Sequence, residues 1–166
     1  MRKWIFAILI LFVLGVGISS CLKNNSTTPV CQPLTATAAS GEVATLKNYL
    51  DSSGIVAIQD SRGFFYTMED AGSADTLHPT TCSDVSVTYT GTYLNGVAFD
   101  STGATTPISF NLSGVIPGWQ EALPLMRNNG IMKLYLPPSL AYGSADYRGI
   151  PANSYLVFRI KLWGFN

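Results

Sequence analysis

Charge is scarce in this chain. Lys, Arg, Asp and Glu together make up 12% of its 166 residues, ten basic against ten acidic, so the formal net charge is zero. No Lys/Arg cluster follows a face or a segment, which argues against a nucleic-acid partner. Histidine is nearly missing as well: His78, in "TLHPTT", is the only one, and its place before a proline reads as a turn. With no second histidine and no CxxC pair, the sequence offers no metal site. It also lacks a phosphate-cradling glycine loop, a dinucleotide fingerprint and a nucleophile elbow. An enzyme built from this chain would have to work without nucleophile, metal or cofactor, and few reactions allow that. No internal repeat is visible. Glycine, serine, threonine and aromatic residues are plentiful, a composition that suits a β-rich domain better than a helical bundle.

Long apolar runs are also lacking. The longest, Trp4–Ile18, follows Arg2 and Lys3. Its roughly fifteen residues fall short of the 18–20 that a membrane-spanning helix needs, and they have the length of a signal-peptide apolar region. Ile18-Ser19-Ser20-Cys21 resembles a bacterial lipobox, which implies lipidation of Cys21, an exported chain and attachment to the envelope, at the outer membrane facing the periplasm. An uncleaved anchor, or an ordinary signal peptide with a chance cysteine, is the alternative. Cys31 and Cys82 are then left over. In an oxidising compartment two such cysteines often pair, although two unpaired thiols would fit the sequence too.

Four segments follow from this reading: a signal peptide at 1–20, a Ser/Thr/Asn/Pro-rich flexible tether at 21–40, a short helical spacer at 41–60 and a globular domain at 61–166. Val43, Leu46 and Leu50 share one face of a helix expected over Gly41–Ser53, with Gly54 placed to stop it. That helix is too short to stand alone, so it should pack on the main domain or pair with a second copy in a homodimer. From Ser61 onward the text is strand-like. "GFFYTM", "VSVTYTGTYLNGVAF" with a turn at Asn95-Gly96, "ISFNL", "IMKLYLP" and "YLVFRIKLWGF" are the strands. Between the third and fourth of these stretches, "VIPGWQEALPLM" opens a short helix at Pro117 and sets Trp119, Leu123 and Met126 on one face. Several strands, one short helix and a long loop make an α+β fold, an antiparallel sheet packed on a lone helix.

"VTYTGTYLNGVAFDS", "VIPGWQEALPLM", "LPPSLAYG" and "IPANSYLVFRIKL" occur in this order and spacing, and together they resemble the FKBP-type peptidyl-prolyl isomerases. The resemblance spans Ser61–Asn166 and implies an antiparallel sheet wrapped around one short helix. It implies the activity too, isomerisation of X–Pro bonds in unfolded or exported polypeptides, with no cofactor and no metal, and a pocket open to macrolides of the rapamycin type. A binding module for proline-containing or unfolded chains, with little turnover, is the competing implication. Residue by residue, the resemblance makes Trp119 the floor of the proline pocket and Val115 and Ile116 the pair whose backbone receives the peptide. Tyr89, Phe99 and Phe158 become walls, Asp100 a buried carboxylate beside the pocket, and Tyr142 the tyrosine that hydrogen-bonds the ligand carbonyl. Ile108 stands where many members have an aromatic wall. Tyr147 falls at a variable loop position, and "SADYRGIP" is one residue shorter than in the best-known members. These departures touch the rim of the pocket and bear on substrate preference and rate.

Overall fold

The computed structural model describes residues 34–166, so the signal segment, Cys21 and Cys31 lie outside the described residues. Helix α1 runs over Ser40–Ser52. Strands β1 (Ile58–Gln59), β2 (Phe65–Asp70), β3 (Asp84–Tyr93), β4 (Ala98–Ser101) and β5 (Ile108–Asn111) follow. Then come helix α2 (Pro117–Ala122) and strands β6 (Ile131–Leu136) and β7 (Leu156–Phe165). Every pairing is antiparallel, in the order β1-β2-β6-β7-β3-β4, with β5 also paired to β3. One edge of β3 is shared: β5 takes Asp84–Val87 and β4 takes Thr90–Thr92, while β7 occupies the other edge. This is the α+β architecture expected from the sequence, an antiparallel sheet around a short helix.

Alternation explains which side chains go where. On β7, Leu156, Phe158, Ile160 and Leu162 point to one face, and with Val85, Val87, Met132, Leu134 and Leu136 they form the main core under α2. Successive strand residues point to opposite faces. The intervening Phe65, Tyr135 and Val157 therefore lie on the far side, where α1 covers them with the buried Leu46 and Leu50. The helix thus packs on its own sheet and its apolar stripe is used there, so a second copy would have to use another surface. Polar bonds brace it at both ends. Glu42 Oε2 accepts from the Ser139 N–H (3.1 Å) and hydroxyl (2.6 Å), and the Tyr49 hydroxyl donates to the Leu94 carbonyl (2.7 Å). Gly54, at φ +67°, ends the helix as expected. Residues 41–60, read as a spacer, belong to the same compact unit as the sheet. The end of the presumed tether is docked as well: Ala38 is buried and its N–H donates to the Arg62 carbonyl (2.8 Å).

Two local features set up the site. The β3–β4 connection closes through Gly96 N–H to the Tyr93 carbonyl (3.0 Å), with Gly96 left-handed at φ +84°. That geometry belongs to a three-residue hairpin loop. Helix α2 is one and a half turns long because Pro124 interrupts it, and the chain tightens into a 3-10 turn over Leu123–Leu125. Trp119, Leu123 and Met126 are all buried, as the spacing predicts, although Met126 lies past the helical end.

Candidate active site

Trp119 is both core and floor. Pro117 at the first helical position and the Trp119 N–H to Ile116 carbonyl bond (3.0 Å) plant the indole where α2 meets the sheet. Only 4% of the residue is exposed, yet it lines a cavity of about 730 Å³. Three rings stand edge-on to it: Tyr89 from β3 (centroids 5.1 Å apart), Phe158 from β7 (5.4 Å) and Phe110 from β5 (6.0 Å). Phe99 from β4 meets Phe158 at 5.7 Å and 90°. Gly91 lets these two rings close over β3, because a Cβ there would come within 2.6 Å of Phe99 and 3.0 Å of Phe158. Edge-to-face arrangements of this kind are the favoured ones for aromatic pairs. The result is an aromatic cup.

Polar groups are confined to its mouth. Tyr142 lines the cavity half-buried, and among the described residues no protein group hydrogen-bonds its hydroxyl. Burial raises the pKa of that hydroxyl, with the neighbouring Tyr147 and Asp100 adding to the effect, so it stays protonated as a donor. The Ile116 N–H likewise meets no acceptor among the described residues. The Ile116 carbonyl, by contrast, is engaged by Trp119 and Gln120. Gln120 was not singled out in the sequence, and its buried side chain donates to the Ser113 (3.2 Å) and Val115 (2.7 Å) carbonyls, holding that loop against α2.

Nine of the ten pocket residues named from the sequence line this one cavity: Tyr89, Phe99, Asp100, Val115, Ile116, Trp119, Tyr142, Tyr147 and Phe158. Ile108 does not; it is 37% exposed on β5. The aromatic wall expected at that position comes instead from Phe110, two residues on and on the same face of the strand. The alternation of "ISFNL" already put the two together, and it was the signal that could have found Phe110. A second expectation is corrected at Asp100, which is exposed and not buried. Strand β4 is the last of the sheet, with only β3 beside it, so the carboxylate meets water at the cavity mouth. It is nonetheless held: the Tyr89 hydroxyl and the Ser101 N–H (2.8 Å) both donate to it. Burial, and then this bond to Asp100, push the Tyr89 pKa well above its ordinary value. Tyr93, Arg148 and Ile150 also line the cavity and were not named from the sequence.

His78 sits in an exposed irregular stretch rather than the expected turn, bonds the Met126 carbonyl through Nδ1 (3.0 Å) and does not line the cavity. Cys82 is disulfide-bonded, and the pairing expected with Cys31 falls on a residue outside those described.

Known proteins resemble this chain over the same region. The chain is 40% identical over 118 residues to the FKBP-type peptidyl-prolyl cis-trans isomerase FkpA of Buchnera aphidicola (strain APS), covering 70% of this chain and 47% of that protein. It is 41% identical over 111 residues to the outer membrane protein MIP of Legionella longbeachae, covering 66% and 46%. The crystal structure of Escherichia coli FkpA superposes with a TM-score of 0.67 at 37% identity, over 77% of this chain and 61% of that one. The chain thus spans less than half the length of the curated relatives it matches. Residues 76–163, the stretch that supplies every wall of the aromatic cup, match the FKBP-type peptidyl-prolyl cis-trans isomerase family, and the chain belongs to that family.

Proposed function

We propose that this protein catalyses cis–trans isomerisation of X–Pro bonds in unfolded or exported polypeptides, with the proline ring seated on Trp119. The observation that carries the reading is the aromatic cup of Trp119, Tyr89, Phe99, Phe110 and Phe158, with two donors at its mouth that have no partner among the described residues. The barrier to rotation, about 18–20 kcal/mol, comes from the resonance that keeps the amide planar. In the twisted transition state that resonance is lost, and with it much of the carbonyl's charge separation. An apolar cavity therefore favours the twisted amide over the planar one, relative to water. The Ile116 N–H and the Tyr142 hydroxyl fix the flanking peptide, and Asp100, held by Tyr89, sets the polarity of the rim. No proton moves, so no general base is required. The same cup would accept macrolides of the rapamycin type.

A binding-only role is favoured by the shortened "SADYRGIP" loop and by the missing aromatic at Ile108, and Phe110 answers the second of these by supplying a ring at that wall. Refolding of a substrate protein limited by proline isomerisation separates the two readings. The parent should accelerate the slow phase, and Trp119→Phe should weaken the effect with the fold intact by circular dichroism. A slow phase that is unchanged or retarded by the parent would leave only binding.

The placement we propose is an exported, lipid-anchored one: signal peptide 1–20, lipid on Cys21, the stretch 21–40 as the link, residues 41–60 as a helical brace and 61–166 as the catalytic part. The lipobox-like Ile18-Ser19-Ser20-Cys21 and a relative named as an outer membrane protein support it. Labelled fatty acid should enter the parent and not Cys21→Ala; equal labelling of both would refute the anchor.

A further inference from the structure

Isomerisation as proposed above needs an apolar cup and a few donors, and one charged group on the rim has no part in it. Of the residues lining the cavity, only Asp100 and Arg148 carry charge. Asp100 already accepts from the Tyr89 hydroxyl and the Ser101 N–H. Arg148 is exposed, and among the described residues no carboxylate lies within ion-pair distance of it. Its position is nevertheless built. The guanidinium lies over the Tyr147 ring, 5.4 Å from the centroid, and Tyr147 in turn stacks on Tyr142 at 4.6 Å with 12° between planes. Arg148 and Tyr142 thus both pack on the Tyr147 ring at the pocket wall.

The backbone is bent to put it there. Tyr147 and Ile150 exchange both N–H to carbonyl bonds (2.9 and 2.8 Å), and the two residues between them are left-handed, Arg148 at φ +46° and Gly149 at φ +88°. A turn of that shape favours Asn, Asp or Gly at its first central position, and arginine there is strained. A guanidinium lying on a ring keeps its edge donors free and loses little freedom when they are used, which suits two-pronged binding of a carboxylate.

We propose that Arg148 is a specificity-determining residue, selecting polypeptides with an acidic side chain next to the proline held on Trp119. The proposal rests on the isomerase reading for its reaction and on that ring packing for its geometry. The test uses the full chain and short peptides with Glu, Gln or Lys placed immediately before, or immediately after, a single proline. The readout is the ratio of kcat/KM for Glu against Gln, compared within each variant. In the parent this ratio should be about threefold at one of the two positions, the factor given by unit charges roughly 6 Å apart in water. It should shrink toward one in 0.5 M salt, as expected of exposed charges. Lys should be disfavoured at the same position. Arg148→Asn removes the charge and suits the left-handed turn, so it should bring Glu and Gln together, whereas Arg148→Lys should keep part of the preference. An equal Glu/Gln ratio in parent and Arg148→Asn would overturn the proposal, as would a parent with no preference at either position. If no peptide is turned over, the isomerase reading fails by itself. Calorimetric affinities for the Glu and Gln peptides then decide on Arg148 by the same ratio.

Discussion

Replacing Glu121 with Gln should erase a loss of stability that the parent shows as pH rises toward 8. Glu121 lies on α2 two residues after Trp119, its side chain only 1% exposed. Neither carboxylate oxygen has a hydrogen bond of good geometry among the described residues, although the Ala36 N–H lies close enough to favour the charged form weakly. Arg62 Nε is 3.9 Å away, but that guanidinium is committed to Asp60, at 2.7 and 3.0 Å. Burial therefore dominates and raises the Glu121 pKa from 4.5 to about 7, against the pull of Arg62. A raised folded-state value means the folded protein holds this proton more tightly than the unfolded chain does. The associated stability is fully present below pH 4.5 and is lost as pH rises through about 7. At 1.36 kcal/mol per pH unit the full swing is at most about 3.4 kcal/mol, and the window from pH 5 to pH 8 holds roughly 2–3 kcal/mol of it, because part of the loss falls below pH 5. Urea unfolding of the parent and Glu121→Gln at pH 5, 6, 7 and 8 reads it directly, because every other titrating group is common to both proteins. The parent should lose roughly that amount relative to Glu121→Gln across the series. A stability difference that stays constant with pH would show that Glu121 ionises normally and that its burial has been misjudged.

Leu46→Ala on α1 removes a fully buried side chain from the second core and should lower stability by about 2–5 kcal/mol in the same urea assay; a change under about 0.5 kcal/mol would mean that the helix is not docked. Asp100→Leu alters an exposed carboxylate, so stability should hold while isomerase activity falls about tenfold, or ~1.4 kcal/mol in barrier; parent-like activity would remove Asp100 from the site. Tyr142→Phe should weaken peptide binding by about 0.5–1.5 kcal/mol, the usual net value of one hydrogen bond, with no loss of stability. Thiol counting on denatured, unreduced protein should find neither Cys31 nor Cys82 free, and two free thiols would refute their pairing.

Most of the fold was legible in the sequence because its causes are local. Alternation along "VSVTYTGTY" and "YLVFRIKLWGF" defines strands and their inner faces. Pro117, the spacing of Trp119, Leu123 and Met126, and Gly54 after α1 mark the helices. Nine pocket residues were legible through motifs that keep order and spacing. What the sequence could not decide depends on groups meeting across the chain. Ile108 and Phe110 share a face of β5, and periodicity assigns both inward. Their pairing opposite Val87 and Val85 on β3 is what carries only the phenyl ring to Trp119. Asp100 looks buried beside Phe99 until β4 proves to be the sheet's last strand, open to water. The sequence left α1 free to pair with a second copy; the far side of the sheet, where Phe65, Tyr135 and Val157 lay uncovered, claimed it. The packing of Tyr142 and Arg148 on the Tyr147 ring exists only because a strained turn folds that loop back over the cavity. Local pattern specifies which face of an element is apolar, but which neighbour covers that face, and which side chain reaches a shared cavity, is settled by close packing among residues far apart in the chain.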